Sequence, residues 1–407
     1  MTLNTDTIRK QFPALSRPVV FLDNPGGSQI ARPSLDRIES YLVNSNANYG
    51  GAFATSQDTV ATVAAARTAM ADFINARQPD EIVFGPNMTT LTYILSRALV
   101  RTFQPGDTLV VTQLDHDANI SPWLQAAEDR GCRVRWVDFN PTDGTLDLDD
   151  LQAALNEKPR LLAVGYASNA LGTINPLSEI IQRAHAAGAL VYVDAVQYAA
   201  HGTMDVQSLD CDFLACSAYK FFGPHLGILY GRYELLDGLR AYRVRPSSPN
   251  PPGKFETGTA AFESISGLLG ALEYLQWVGE EYGSDFRTRH APSYEGRKLV
   301  FKQAMSAIQV YELELNLALL SAIQQTPGVQ LYGISDEKLQ AQRVPTFSFT
   351  LDGLTPHQVA EQMGERDIYL WNGNFHALAV TQRLAKALDL SQGVVMHRTD
   401  PHQPAFV

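Results

Sequence analysis

Cysteine is scarce in this chain. Cys132, Cys211 and Cys216 are the three among 407 residues, too few for a disulfide framework and without the paired spacing of a metal site. No metal centre is expected, and the thiols suit a reducing, cytoplasmic setting. Positive charge is also short: 32 Lys and Arg against 43 Asp and Glu leave a net charge of −11. That balance excludes nucleic acid or an anionic membrane as the main partner. No apolar run approaches the length of a membrane span, and residues 1–17 lack the apolar stretch of a signal peptide. No Gly-x-Gly-x-x-Gly follows the first strand-like run, which weighs against a nucleotide-binding sheet protein. Internal repeats and low-complexity segments are missing as well.

What is present is a regular alternation. Val19-Val-Phe-Leu-Asp-Asn24 reads as a short strand breaking into Pro25-Gly26-Gly27-Ser28, where paired glycines let the backbone come close to a neighbour or make a turn. Residues 36–46 and 59–76 carry helical periodicity. Strand-like runs follow at 81–85, 108–112, 133–139, 161–165, 190–197 and 212–217, separated by helical stretches at 91–100, 120–130, 147–156 and 177–187. Continuous apolar strands alternating with helices predict a mostly parallel sheet buried on both faces, an α/β fold. After Tyr230 the pattern changes to a proline-rich loop, 243–253, and long helices near 263–280 and 294–325. Runs at 329–333, 345–351, 367–371 and 393–396 predict strands of a smaller α+β domain. The expected division is an N-terminal segment 1–18, a large domain 19–265, and a linking helix with the small domain 266–407. From about residue 397 the chain has no periodicity and reads as a loose tail.

Ligands of parallel sheets sit beyond the carboxyl ends of the strands. His116, Asn169, Asp194, Gln197 and Lys220 all lie at or just past such ends. A lysine at the inner end of a buried strand is costly as a cation. Using its amine as a nucleophile toward a carbonyl removes that cost, whereas a snorkelling lysine is the plainer alternative. Asp194 at a strand end can hold a ring nitrogen protonated or cap a helix. His116 can stack on an aromatic ring and relay protons. Asn169 and Gln197 can donate to a phenolate oxygen or close turns. Asn87, Met88 and Thr89 open a helix after a Gly-Pro turn, a placement that suits a phosphate. Ser217 and Thr259 add hydroxyls. Together these groups match the inventory for pyridoxal 5′-phosphate.

The chain resembles fold-type I pyridoxal-phosphate enzymes of the class V aminotransferase and cysteine desulfurase family, which includes selenocysteine lyases. The resemblance rests on Phe21-Leu-Asp-Asn24, Asp115-His-Asp-Ala-Asn119, Ser168-Asn-Ala-Leu-Gly-Thr173, Val193-Asp-Ala-Val-Gln197, Ser217-Ala-Tyr-Lys220 and Glu256-Thr-Gly-Thr259. It implies a large cofactor-binding domain around a mostly parallel seven-stranded sheet. It also implies Lys220 as the Schiff-base lysine and α-proton base, Asp194 on the pyridine nitrogen, His116 stacked on the ring, and Asn169 and Gln197 on the phenolate side. The phosphate would be held by Asn87, Met88, Thr89, Ser217 and Tyr219, with Thr259 arriving from a neighbouring subunit of a homodimer.

Departures from the family narrow the chemistry. Tyr219 replaces the histidine that precedes the lysine in desulfurases, and the loop Trp371-Asn-Gly-Asn-Phe-His-Ala377 has no cysteine to accept sulfur. Met396 follows Gly393-Val-Val where the family's carboxylate-binding arginine is expected. Arg398 comes two residues later, and Arg243, Arg245 and His376 are further anion contacts. The reading is a cysteine desulfurase-like C–S lyase acting on a small amino acid by β-elimination without a persulfide. A class V aminotransferase, an amino-acid epimerase, or a cofactor-binding protein with little turnover are the alternatives.

Overall fold

The computed structural model describes residues 3–387. The strand expected at 393–396, Arg398 and the tail lie outside them. Eleven strands are formed among the described residues: β1 Val20–Phe21, β2 Ile82–Gly85, β3 Thr108–Thr112, β4 Arg133–Val137, β5 Leu161–Gly165, β6 Leu190–Asp194, β7 Phe213–Ser217, β8 Gly227–Gly231, β9 Val329–Tyr332, β10 Ser348–Leu351 and β11 Ile368–Tyr369.

Seven of them make one sheet in the order β2-β8-β7-β6-β5-β3-β4. β3 runs parallel to β4 and β5, and β5 parallel to β6, while β8 is antiparallel to both β2 and β7. The fold is therefore the expected mixed α/β type with a mostly parallel central sheet. β3, β5, β7 and β8 are buried at every position, as strands covered on both faces must be. β4 is one of the two edge strands and carries Arg133 and Arg135, charges that discourage further strand pairing. β8 was not expected. It is five residues long, begins and ends in glycine, and follows the lysine turn so closely that no periodicity shows.

The described residues group into two compact units, one of 3–17, 27–102 and 199–311, the other of 18–26, 103–198 and 312–387. In the first unit, helix Phe262–Tyr282 packs on helix Arg32–Asn44. A Cβ on Gly270 would lie 2.7 Å from the Ser34 Cα, so only glycine permits this approach, and the Ser34 hydroxyl donates to the Gly267 carbonyl at 2.8 Å. The second unit holds β3 to β6 with helices Ser121–Arg130, Leu148–Asn156 and Leu177–Ala186. It also holds two small pairings, β1 parallel to β11 and β9 antiparallel to β10. The run expected as a strand from Pro345 begins three residues later, at Ser348. Before it, the buried Arg343 donates to the carbonyls of Ile334, Leu171 and Thr346, which holds residues 344–346 in a loop. The long helix expected over 294–325 spans Gly296–Gln325.

Candidate active site

In the first unit the expected anion cradle is built from helix Met88–Leu99. Asn87 caps it, its side-chain oxygen accepting the Thr90 N–H at 2.8 Å. The apolar residues Leu91, Leu95, Ala98 and Leu99 bury the opposite face, which fixes where the N-terminus points. Ser217, the last residue of β7, accepts the Met88 N–H at 3.2 Å. Accepting leaves its hydroxyl proton available for a ligand oxygen. The Thr89 N–H lies in the first turn, where a helix offers no internal acceptor, and the helix dipole adds a positive end. Gly227 on β8 makes this possible: a Cβ there would meet the Asn87 carbonyl oxygen at 2.6 Å.

Lys220 ends a single helical turn, Ala218–Lys220, directly after β7. Its Nζ lies 5.2 Å from the centre of the Tyr219 ring, which itself stacks on His225 at 4.8 Å. Ser28 laces the turn together. Its N–H and hydroxyl both donate to the Tyr219 carbonyl, at 2.9 and 3.0 Å, and its oxygen accepts the Phe222 N–H at 2.8 Å. The glycine pair before it has the close-approach role: a Cβ on Gly27 would sit 3.0 Å from the Tyr219 ring. Thr259, Arg243 and Arg245 are exposed. Arg243 donates within its own loop, to the Ser247 carbonyl at 2.9 Å and the Arg245 carbonyl at 3.2 Å.

The second unit gathers the other set. β3, β5 and β6 are parallel in the sheet, so their carboxyl ends share one edge. His116 follows β3, and its Nδ1 accepts the Ala118 N–H at 2.9 Å; in the neutral ring the proton is then on Nε2. Its ring centre is 5.5 Å from that of His376. The His376 loop is pinned beside it: the His376 carbonyl accepts the Asp117 N–H at 2.6 Å, and the Phe375 carbonyl accepts from Asn169 at 2.8 Å. Phe375 and His376 both have left-handed backbones, φ 55° and 54°, a strained pair that persists only where surrounding contacts impose it.

Asp194 ends β6 and is 7% exposed; its Oδ1 accepts the Val196 N–H at 2.9 Å. Beside it is a carboxyl that motif reading left without a role. Asp115 is 3% exposed, accepts the Gly165 N–H at 2.8 Å and the Asn119 amide at 3.0 Å. Burial, then the charge of Asp194, push it up to about 8. Gln197 donates to the Thr346 hydroxyl at 2.9 Å.

The side-chain oxygens of Asn169 and Gln197 are buried with no hydrogen-bond partner. Thr346 can donate as well as accept, so the Gln197 amide can turn to present N–H to a ligand oxygen without losing its partner. In the second unit, such amides and a buried carboxylate suit the phenolate oxygen and ring nitrogen of pyridoxal 5′-phosphate; in the first, a cradled serine hydroxyl and a lysine suit its phosphate and carbonyl carbon. No cluster of three or more His, Cys, Asp or Glu among the described residues is placed to hold a metal. A surface groove of about 810 Å³ in the first unit, lined by Asp72, Glu280, Arg287, Tyr294 and Arg297 among others, contains none of the expected site residues.

Residues 20–291 match the family profile described as aminotransferase class-V. The chain belongs to that family. It is 35% identical to a cysteine desulfurase of Dickeya dadantii over 348 residues, covering 81% of this chain and 78% of that protein. It is also 35% identical to the aminotransferase-like protein FGM3 of Gibberella zeae over 376 residues, 88% and 85% of the two chains. Among solved structures, the apo cysteine desulfurase of Thermococcus onnurineus superposes with a TM-score of 0.81 at 26% identity, covering 95% of this chain and 91% of that one. The Escherichia coli desulfurase CsdA superposes at 0.78 with 27% identity, covering 95% and 92%. The class V aminotransferase and cysteine desulfurase families depend on pyridoxal phosphate, and the chain is a class V aminotransferase or cysteine desulfurase-like enzyme of that kind.

Sequence reasoning missed two supports besides Asp115. Ser28 followed an obvious glycine turn but carried no marker of its contact with the lysine turn. Glu256 accepts the Phe84 N–H at 2.8 Å and pairs with the buried Arg67 at 2.8 and 3.1 Å. The Glu256-Thr-Gly-Thr259 motif is thereby tied to β2, just before the Asn87 cap of helix Met88–Leu99. Only the recurrence of Glu256 and Asp115 in family motifs could have flagged them.

Proposed function

We propose that the chain is a pyridoxal-phosphate lyase that eliminates a β-substituent from a small amino acid, without a persulfide on its own cysteines. The observation that carries the reading is the placement of the thiols. Cys211 and Cys216 are buried, and Cys132 is half-buried on the strand-and-helix layer. Burial pushes Cys211 far above the usual thiol range and raises Cys132 as well. A thiol held protonated is a poor sulfur acceptor. The loop 371–377 presents His376, not a thiol.

When bound, the cofactor supplies the electron sink that makes a substrate carbanion accessible. Lys220 Nζ would be the amine that holds the cofactor's carbonyl carbon and, when free, the base that takes the substrate Cα proton. Asp194 would keep the ring nitrogen protonated, His116 would lie against the ring, and Asn169 and Gln197 would donate to its phenolate oxygen. The Met88–Leu99 helix start, Ser217 and Tyr219 would hold the phosphate. His376, Arg243, Arg245 and Arg398 are the candidate contacts for the substrate carboxylate. We also read the chain as a cytoplasmic homodimer in which Thr259 serves the neighbouring subunit's phosphate.

The experiment is a product assay on the loaded chain with L-cysteine and a panel of amino acids. Sulfide with pyruvate supports elimination. A keto acid formed only with an amino acceptor sinks it in favour of transamination, the reading that the aminotransferase-like relative supports. Borohydride treatment followed by peptide mapping should place the fixed cofactor on Lys220. Fixation that persists in Lys220→Ala would remove the central assignment.

A further inference from the structure

We propose that Asp115 is a positioning residue for Asp194: it keeps a proton, so that the two buried carboxyls together carry one negative charge and Asp194 is the group that carries it. The proposal rests on the reading of Asp194 as the ring-nitrogen partner and extends it to a residue that touches neither cofactor nor substrate.

The geometry is a strand-end pairing. Gly165 ends β5 and is the register partner of Asp194 at the end of β6. The Asp115 Oδ1 accepts the Gly165 N–H at 2.8 Å, and a Cβ on residue 165 would come within 2.5 Å of that oxygen, so glycine is required for the contact. Next along the chain, the Tyr166 N–H donates to the Asp194 carbonyl at 2.7 Å. The Asp115 carboxyl and the Asp194 backbone are thus tied to the same stretch of chain, and both carboxyls are nearly inaccessible.

Two buried carboxylates, one bonded to the end of β5 and the other ending β6 beside it, repel, and one of them holds its proton above the usual range. Asp115 is the more deeply buried, and burial followed by the Asp194 charge raises it to about 8. The groups facing it are mostly neutral: the Asn119 amide at 3.0 Å, the Thr112 hydroxyl and the Gly165 amide. His116, next in sequence, directs Nδ1 to the Ala118 N–H instead. The Gly165, Asn119 and Thr112 hydrogen bonds favour the charged form, but burial and the Asp194 charge outweigh them. With that proton in place, the pair does not have to share a second charge when a cationic ring arrives.

Infrared difference spectroscopy on the full chain without cofactor reads the proton directly. A protonated-carboxyl band is expected at pH 6 and should fade as pH rises past about 8. It should be missing in Asp115→Asn. In Asp194→Asn, which leaves Asp115 intact, it should fade at distinctly lower pH because the repelling charge is gone. Denaturant titration adds a second readout. The fold holds a proton that the unfolded chain gives up near pH 4, so the unfolding constant should rise with pH between those limits, by up to ~10-fold per pH unit. That dependence should weaken in Asp115→Asn. A wild-type spectrum without the band at pH 6, or a band that survives in Asp115→Asn, overturns the proposal. The role of Asp194 is separated by fluorescence titration with pyridoxal 5′-phosphate. Unchanged affinity in Asp194→Asn would remove the ring-nitrogen reading while a band lost in Asp115→Asn still places the proton.

Discussion

Glu256 has the tightest set of obligations in the first unit. It accepts the Phe84 backbone N–H and both guanidinium arms of Arg67, which also donates to the Ile82 carbonyl and lies over the Phe84 ring. Both partners are largely buried. Removing the acid leaves a guanidinium with little water to turn to, and that is where broken buried pairs become expensive. Glu256→Ala is therefore expected to destabilise the protein by about 3 kcal/mol, read by urea denaturation. Because the loop 256–259 is freed with it, affinity for pyridoxal 5′-phosphate should drop as well. Retained stability would mean that Arg67 finds another acceptor.

At the scale of elements, the crossing of β8 over the start of helix Met88–Leu99 positions the proposed anion cradle. Gly227→Ala puts a methyl group against the Asn87 backbone. The expected cost is about 2 kcal/mol from overpacking, with a larger loss of cofactor affinity than of stability, since the displaced atoms are the cap itself. Comparing the midpoint of denaturation with the cofactor titration checks this. Helix Gly296–Gln325 makes a different point. Its Lys302 is 2% exposed, bonds to the Met204 carbonyl and lies 5.1 Å from the centre of the Tyr294 ring. Burial lowers its pKa to about 8, with Asp205 opposing. Between about pH 8 and the unfolded value near 10.4, the unfolded chain binds a proton that the fold does not. Stability attributable to this group should then rise with pH in that window, by up to ~1.4 kcal/mol per unit. Lys302→Met should lose that alkaline rise in denaturant midpoints measured from pH 7.5 to 10.

For the whole molecule, the cofactor should act as a folding ligand. At a concentration of 100 times its dissociation constant, a ligand that binds only the folded chain stabilises it by about 2.7 kcal/mol. Pyridoxal 5′-phosphate should therefore raise the thermal midpoint measured by calorimetry, and Lys220→Ala should lose most of that gain. No helix among the described residues is long and apolar enough to cross a membrane, in keeping with the lack of apolar runs in the sequence. The seven-stranded sheet supplies the frame. Each expected sheet strand formed, because its apolar positions have no solution other than burial between helix layers. The unexpected member, β8, begins and ends in glycine and follows the lysine turn too closely to stand out as a separate run.

Order along the chain determined the sheet, the lysine after β7, the acid ending β6, and the absence of a thiol from the loop 371–377. These follow from local pattern and residue type, which a linear reading sees. Only the tertiary structure decided that Asp115 lies against Gly165, that Ser28 laces the lysine turn, that Glu256 holds Arg67 under β2, and that the strained Phe375–His376 pair is docked by Asn169 and Asp117. Each of these contacts joins residues 50 to more than 200 positions apart. No spacing rule encodes such a contact, because what selects it is the need of a buried polar group for a partner, and the fold alone determines which partner is in reach.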